Sequence, residues 1–349
     1  MHGVPGWWAA VTSLDIRSPG PAAGGGRPPA VEVRGLTKHY GDLVAVKEID
    51  FSVAQGEVFA FLGPNGARKS TTIKMLCTLA HPTSGRAVVA GYDVVSRAKA
   101  VRRHIGLVFQ EQTLDDQLTA EENLRFHAVL YGVPHDQVDQ RITKVMDLVA
   151  LSDRRKDLVS TYSGGMARRL EIARGMLHTP RVLFLDEPTI GLDPQTRALM
   201  WEDVLRLRQE EGVTIFLTTH YMDEAEYADR IAIIDHGTIV ALDTPDALKA
   251  LVGADTVALE TADDDAALAS LKRAGYTAER TEGGLTAFVT DQEAAVGPLV
   301  AAVGVPVRTV RAHRPTLDDV FLHFTGREIR EQHADAIPMF ARAHGARRH

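Results

Sequence analysis

The chain has 349 residues, 45% of them hydrophobic, and a net charge of −7. That length suits two domains, and the acidic balance gives no reason to expect nucleic acid or an anionic membrane surface as partner. One cysteine, Cys77, excludes an internal disulfide, and no run approaches the ~20 apolar residues of a membrane-spanning helix.

Residues 1–29 are rich in Gly, Pro and Ala, ending GPAAGGGRPP. Such composition buries too little apolar surface to offset chain entropy, so a disordered leader is expected, with Trp7 and Trp8 as stray aromatics. It lacks a basic start followed by an apolar core, so no signal peptide is expected. A first domain is read over 30–250. Val31-Glu32-Val33 alternates like a half-exposed strand. Val58–Leu62, Ile105–Phe109, Val182–Leu185, Val213–Thr218 and Ile231–Ile234 are short unbroken apolar runs, which suit strands buried on both faces of a largely parallel sheet. Cys77, in the apolar run before residue 80, reads as a buried, inert thiol.

Between about 111 and 160 the strands stop. Thr119-Ala120-Glu121-Glu122 is a capping box that opens a helix reaching about Tyr131, and a second amphipathic run covers Gln137–Leu151. An inserted helical subdomain is expected there. From 251 to 326 the order is strand (Thr256–Glu260), helix (Asp263–Ala274), two strands about Gly283-Gly284, helix (Gln292–Val303) and strand (Val305–Val310). That is the order of a ferredoxin-like domain. A last helix starts near Thr316, and 327–349 reads as a frayed tail. The acids Asp263-Asp264-Asp265 read as a solvated helix start.

The chemistry begins at GPNGARKST, residues 63–71, between a strand and a helix. Against the phosphate-loop pattern G-x-x-x-x-G-K-[ST], Gly63, Lys69 and Ser70 fit and Arg68 replaces the second glycine. Gly63, Pro64, Asn65, Gly66, Ala67, Arg68, Lys69, Ser70 and Thr71 form the candidate phosphate-binding set. Lys69 would reach the outer phosphates and the Ser70 hydroxyl would hold Mg²⁺. Val182–Leu185 ends in Asp186-Glu187, which places two carboxylates at the carboxyl edge of the sheet, where ligands of such sheets bind. Asp186 would hold the Mg²⁺ shell and Glu187 would polarise an attacking water. Ser163-Gly164-Gly165, at another helix start, is a second anion nest, followed by Arg168 and Arg169. One nucleotide has no use for two phosphate cradles of one chain this far apart, so two copies arranged head to tail are expected.

Over Val31 to Asp243 these residues resemble the ATP-binding subunits of ABC transporters. The resemblance implies an ATPase of the P-loop fold: a RecA-like, mostly parallel sheet core, an antiparallel β part and an inserted helical subdomain. It also assigns roles. Tyr40 matches the aromatic that stacks on adenine, and Gln110 the glutamine that senses Mg²⁺ and the attacking water. Ser163-Gly164-Gly165 matches the signature, with Tyr162 where leucine is usual. Asp193 matches the loop linking two active sites, and His220 the histidine at the γ-phosphate. SGGMARRLEIARGML and the PTLDDVFLHFTGRE ending are similar to the daunorubicin-resistance type of drug exporter ATPase. In that type a separate permease spans the membrane, the ATPase sits on its cytoplasmic face, and the C-terminal domain is an accessory dimerisation or regulatory element.

Arg68 departs from this pattern. If the position needs φ > 0, a side chain there costs roughly 1–2 kcal/mol. A guanidinium about 4 Å from a phosphate contributes roughly 1–4 kcal/mol in the other direction. Weakened nucleotide binding and impaired turnover are expected, and a non-hydrolysing regulatory subunit is the alternative reading. Retained Glu187 argues against that alternative. Soluble DNA-repair or translation ATPases of the same family are disfavoured, because the chain has neither a long heptad insertion nor a second cassette.

Overall fold

The computed structural model describes residues 27–253, 255–281, 284–289 and 292–326. Trp7, Trp8, most of the leader and the tail after residue 326 lie outside the described residues.

β1 (Val31–Tyr40) and β2 (Leu43–Val53) form a hairpin, and β3 (Val58–Leu62) leads through the phosphate-loop motif into α1 (Lys69–Leu76). β4 (Ser84–Val89), β5 (Tyr92–Asp93), α2 (Ala98–His104) and β6 (Ile105–Val108) follow. The inserted helical part carries α3 (Ala120–Leu130) and α4 (Val138–Leu148), and α5 (Gly164–Met176) returns to the sheet at β7 (Val182–Asp186). Thr119 and Glu122 cap α3 reciprocally, as the capping box predicts. Next come α6 (Pro194–Glu211), β8 (Thr214–Thr219), α7 (Met222–Ala225), β9 (Arg230–Asp235), β10 (Thr238–Asp243) and α8 (Pro245–Val252).

The strands build two sheets. A six-stranded sheet has the order β10-β9-β3-β8-β7-β6, parallel except for β10. A four-stranded antiparallel sheet has the order β2-β1-β4-β5. β3, β7 and β8 are buried at every residue, as expected for strands covered on both faces. Between the sheets, Phe51, Phe59, Phe61, Phe184 and Phe216 form one aromatic cluster, with Phe51 and Phe59 stacked 5.5 Å apart. The opposite face of the large sheet packs on α5 and α6 through Leu170, Ile172, Met200 and Trp201. Cys77 is buried and free, and burial, with the Asp186 charge adding to it, pushes its pKa up.

Beyond α8, β11 (Asp255–Thr261), α9 (Asp264–Arg273), β12 (Thr277–Thr281), β13 (Gly284–Val289), α10 (Gln292–Val303) and β14 (Val307–His313) form a four-stranded antiparallel sheet with two helices. Its order, β12-β13-β11-β14, is ferredoxin-like, and it has its own core around Val257, Leu259, Leu271 and Leu299. Asp263 caps α9 by accepting the Ala266 N–H at 3.0 Å. The closing helix α11 (Leu317–Thr325), which the sequence reading groups with this second domain, turns back instead. Its Leu317, Val320 and Phe321 join Leu248 of α8 in the first domain's core. Among the described residues, no helix is long and apolar enough to cross a membrane.

Candidate functional site

Register decides what meets at the carboxyl edge of the large sheet. Leu62 pairs with Thr219 and Ile233, and Asp186 pairs with Thr218. The residues just past these strand ends are Gly63, Glu187 and His220, so three distant sequence motifs arrive side by side. Gly63 is required by close approach: a Cβ there would stand 2.3 Å from the Ile234 carbonyl oxygen. Gly66 has φ 83°, in the region glycine favours.

Lys69 is almost fully buried at the start of α1. Its ammonium donates to the Gly63 carbonyl at 2.6 Å and the Pro64 carbonyl at 3.1 Å, and pairs with Glu187 Oε1 at 3.1 Å. Glu187 Oε2 lies 2.9 Å from His220 Nδ1. A continuous line of polar contacts therefore runs Lys69–Glu187–His220. Burial lowers the Lys69 pKa, although the Glu187 and Asp186 charges oppose it. Burial works to raise the Glu187 pKa but is outweighed by the His220 hydrogen bond and the Lys69 charge, so its carboxyl stays below the usual range. Glu187 has φ 48°, a strained conformation of the kind that gathers at functional sites.

Ser70 and Asp186 form the second pair. Ser70 Oγ donates to Asp186 Oδ1 at 3.2 Å, and Thr218 Oγ1 donates to the same oxygen at 2.6 Å. One hydroxyl and one carboxylate suit Mg²⁺, which takes few protein oxygens and keeps the rest of its shell for water and substrate phosphates. Gln110 sits exposed on the bend just past β6. Among the described residues no group of three or more His, Cys, Asp or Glu could hold a metal alone.

Arg68 occupies the N-cap of α1 at φ 77° and ψ 22°, in the left-handed region. The condition set by the sequence reading, that this position needs positive φ, is met. Its side chain is exposed, makes no cap and has no hydrogen-bond or ion-pair partner among the described residues. No N-cap side chain occupies the first-turn amides of α1, and free amides at a helix start are the arrangement that receives phosphate.

The other candidates gather elsewhere. Ser163 caps α5, its Oγ accepting the Met166 N–H at 3.2 Å. Asp193 caps α6, accepting the Thr196 N–H at 3.0 Å and hydroxyl at 2.6 Å, bonds that lower its pKa. The two caps dock on each other, for a Cβ at Gly165 would fall 2.2 Å from Thr196 Cγ2, and one at Gly164 would lie 3.8 Å from Leu192. Among the described residues no hydrogen bond joins 163–165 to the 63–70 loop. Tyr40, half-exposed at the end of β1, has the Lys38 ammonium 4.8 Å over its ring.

Arg168 and Arg169 do not serve the nest they follow. Arg168 is buried, donating to the Pro188 carbonyl at 2.6 Å and to the Phe109 carbonyl, and pairing with Glu171 at 2.8 Å. It fixes α5 to the segments that carry Gln110 and Glu187. Arg169 reaches the Val149 carbonyl at 3.4 Å. Sequence reasoning missed this bracing role and Thr218 altogether; the apolar residues Ala167 and Leu170 flanking Arg168 and Arg169 were the available hint that one of these arginines is buried.

Comparison with known proteins agrees with this geometry. Residues 46–190 match the sequence family described as ABC transporter. The chain is 41% identical to the daunorubicin resistance ATP-binding protein DrrA3 of Streptomyces coeruleorubidus, over 87% of this chain and 98% of that protein. Among solved structures, cbiO1 of Clostridium perfringens, part of the transporter complex cbiONQ, superposes with a TM-score of 0.61 at 28% identity, covering 64% of this chain and 92% of that one. The dimeric cassette MJ0796 bound to ADP and phosphate gives 0.55 at 25% identity, covering 61% and 98%. The fold is accordingly the ABC-type P-loop NTPase fold, and this chain belongs to the ATP-binding subunits of ABC transporters, with 40–41% identity to those of daunorubicin resistance.

Proposed function

We propose that the chain hydrolyses Mg·ATP as the ATPase subunit of a two-component exporter of the drug or antibiotic efflux type, docked on a separate permease at the cytoplasmic face of the membrane. The observation that carries this reading is the buried line Lys69–Glu187–His220 at the mouth of the phosphate loop. Lys69 exchanges its carboxylate and carbonyl partners for the outer phosphates, beside the loop amides of Gly63 to Thr71. Ser70, Asp186 and Gln110 are the residues that would hold Mg²⁺, which would neutralise phosphate charge when bound. Glu187, released from Lys69 but still bonded to His220, accepts the proton of the attacking water. Tyr40 offers its ring to adenine.

Ser163, Gly164, Gly165 and Asp193 lie on a separate pair of helix starts, which supports a head-to-tail pair of chains with each site completed by the other copy's nest. For the permease, α3 offers Phe126, Val129 and Leu130 on one stripe, 58%, 68% and 63% exposed. Apolar residues this exposed at helical spacing mark a docking surface.

A second reading, a chain impaired in hydrolysis, is favoured by the φ of 77° at Arg68. One experiment weighs both: titrate Mg·ATP onto the chain and its Arg68→Gly variant, then measure turnover. Both binding and turning over upholds the ATPase. Binding and turnover only in the variant assigns the loss to Arg68, and neither in either chain contradicts the proposal.

A further inference from the structure

The Glu224 carboxyl takes no part in the cluster described above, yet it bridges the two segments that carry it. Glu224 is only 1% exposed. Oε1 accepts a hydrogen bond from Thr189 Oγ1, and Oε2 accepts one from Thr219 Oγ1 at 2.6 Å. Thr189 lies two residues after Glu187, and Thr219 immediately precedes His220. Thr219 Oγ1 also accepts the Tyr221 N–H at 3.0 Å, so the turn holding His220 is anchored on both sides.

Arg197, near the start of α6, completes the arrangement. Its guanidinium lies 4.0 Å over the Tyr221 ring and its Nε 3.8 Å from Glu224 Oε1. That Nε is buried without a hydrogen-bond partner among the described residues. Burial pushes the Glu224 pKa up to about 7, with the Thr219 bond and Arg197 opposing. The charged or titratable groups facing it are Arg197 from α6, Asp223 on its own helix and His220 past β8. β3 and β8, on which α7 packs, bring only apolar residues and threonines.

We propose that Glu224 is a positioning residue: it locks the loop after Glu187 to the turn before His220 and so holds the 2.9 Å Glu187–His220 contact in place. This rests on the ATPase reading for its consequence but not for its geometry. A brace of this kind matters most when Lys69 leaves Glu187, because Glu187 then keeps His220 as its only side-chain partner in the cluster.

The test compares the full chain with Glu224→Gln and Glu224→Ala. Its first readout, taken without nucleotide, is the NMR signal of the His220 imidazole N–H bonded to Glu187. Its second is the split of kcat and KM for ATP. A glutamine can accept from one threonine and donate to the other, so it preserves the bridge, whereas alanine removes it. The imidazole signal should persist in Gln and vanish in Ala. Displacement of a catalytic group by a fraction of an ångström should lower kcat roughly tenfold or more in Ala, with KM within about twofold. Should Ala fail to fold, Glu224→Gln together with Thr189→Val, which removes one arm of the bridge, gives the same comparison. An unmoved signal in every folded variant overturns the proposal, whatever the turnover. A signal lost in Ala while the unaltered chain shows no turnover supports the brace and counts against the ATPase reading alone.

Discussion

At the 63–70 loop this protein is held by buried charge, whereas at 163–165 it is held by helix caps and close packing. Lys69, Glu187 and His220 restrain one another through contacts of 3.1 and 2.9 Å, and Ser70 donates to Asp186 at 3.2 Å, all through atoms that nucleotide and metal would claim. Ser163 and Asp193 instead satisfy local amides, and a Cβ at Gly165 would fall 2.2 Å from Thr196 Cγ2, so a larger residue there would force Thr196 to move. The first half is built of contacts that a nucleotide would displace; the second satisfies its own helix-start amides. Arg68 intensifies the contrast, because it adds left-handed strain and a cation with no partner among the described residues to the first half.

The sharpest way to break this comparison is to remove a buried charge. Lys69→Ala leaves Glu187 without its cation, and breaking a buried pair costs about 3–5 kcal/mol. The Tm of the nucleotide-free chain should fall by several degrees, a loss that Lys69→Ala/Glu187→Gln should largely reverse. Glu187→Gln alone should retain ATP binding and lower turnover by about 10²-fold or more, since it removes the general base. Equal loss of binding and turnover would mean that Glu187 acts on the ground state rather than on the water.

Glu224 gives an effect of intermediate size. A carboxyl whose folded pKa is about 7 against an ordinary 4.5 favours folding below 4.5 and loses that advantage as pH rises through 7. Replacing it with an uncharged isostere therefore gains about 3 kcal/mol relative to the unaltered chain between pH 4.5 and 8. The Tm of Glu224→Gln minus that of the parent should rise across that range; a flat difference would place the titration elsewhere. Smallest is Arg68→Gly. Relief of left-handed strain, offset by the freedom of glycine in the unfolded chain, leaves a gain of about 1 kcal/mol or less by denaturant unfolding.

Much of this was legible in sequence, for identifiable reasons. Strands buried on both faces, such as Val182–Leu185, read plainly because no polar residue interrupts them. β2, β4 and β10 did not stand out: each has one wet face, and β1 extends to Tyr40 only through bulges. Local motifs gave Lys69, Ser70, Asp186 and Glu187 their places. Of the partners that hold them, Thr218 and Thr219 depend on register between strands far apart in the chain, Glu224 on where α7 packs, and Arg168 had only its apolar neighbours as a hint. The packing of α11 has no local signature: Leu317, Val320 and Phe321 share a core cluster with Leu248 of α8, far back in the chain.

In the proposed head-to-tail pair, a working site takes its loop from one chain and its nest from another. The most direct test mixes two disabled chains, Lys69→Ala and Gly164→Asp, the latter at a position with room for a Cβ. Each alone should be inactive beside an active parent. Random pairing makes half the dimers mixed, each with one intact site, so turnover should return to about a quarter of the parental rate. A mixture as inactive as its components would show that each site is built within a single chain.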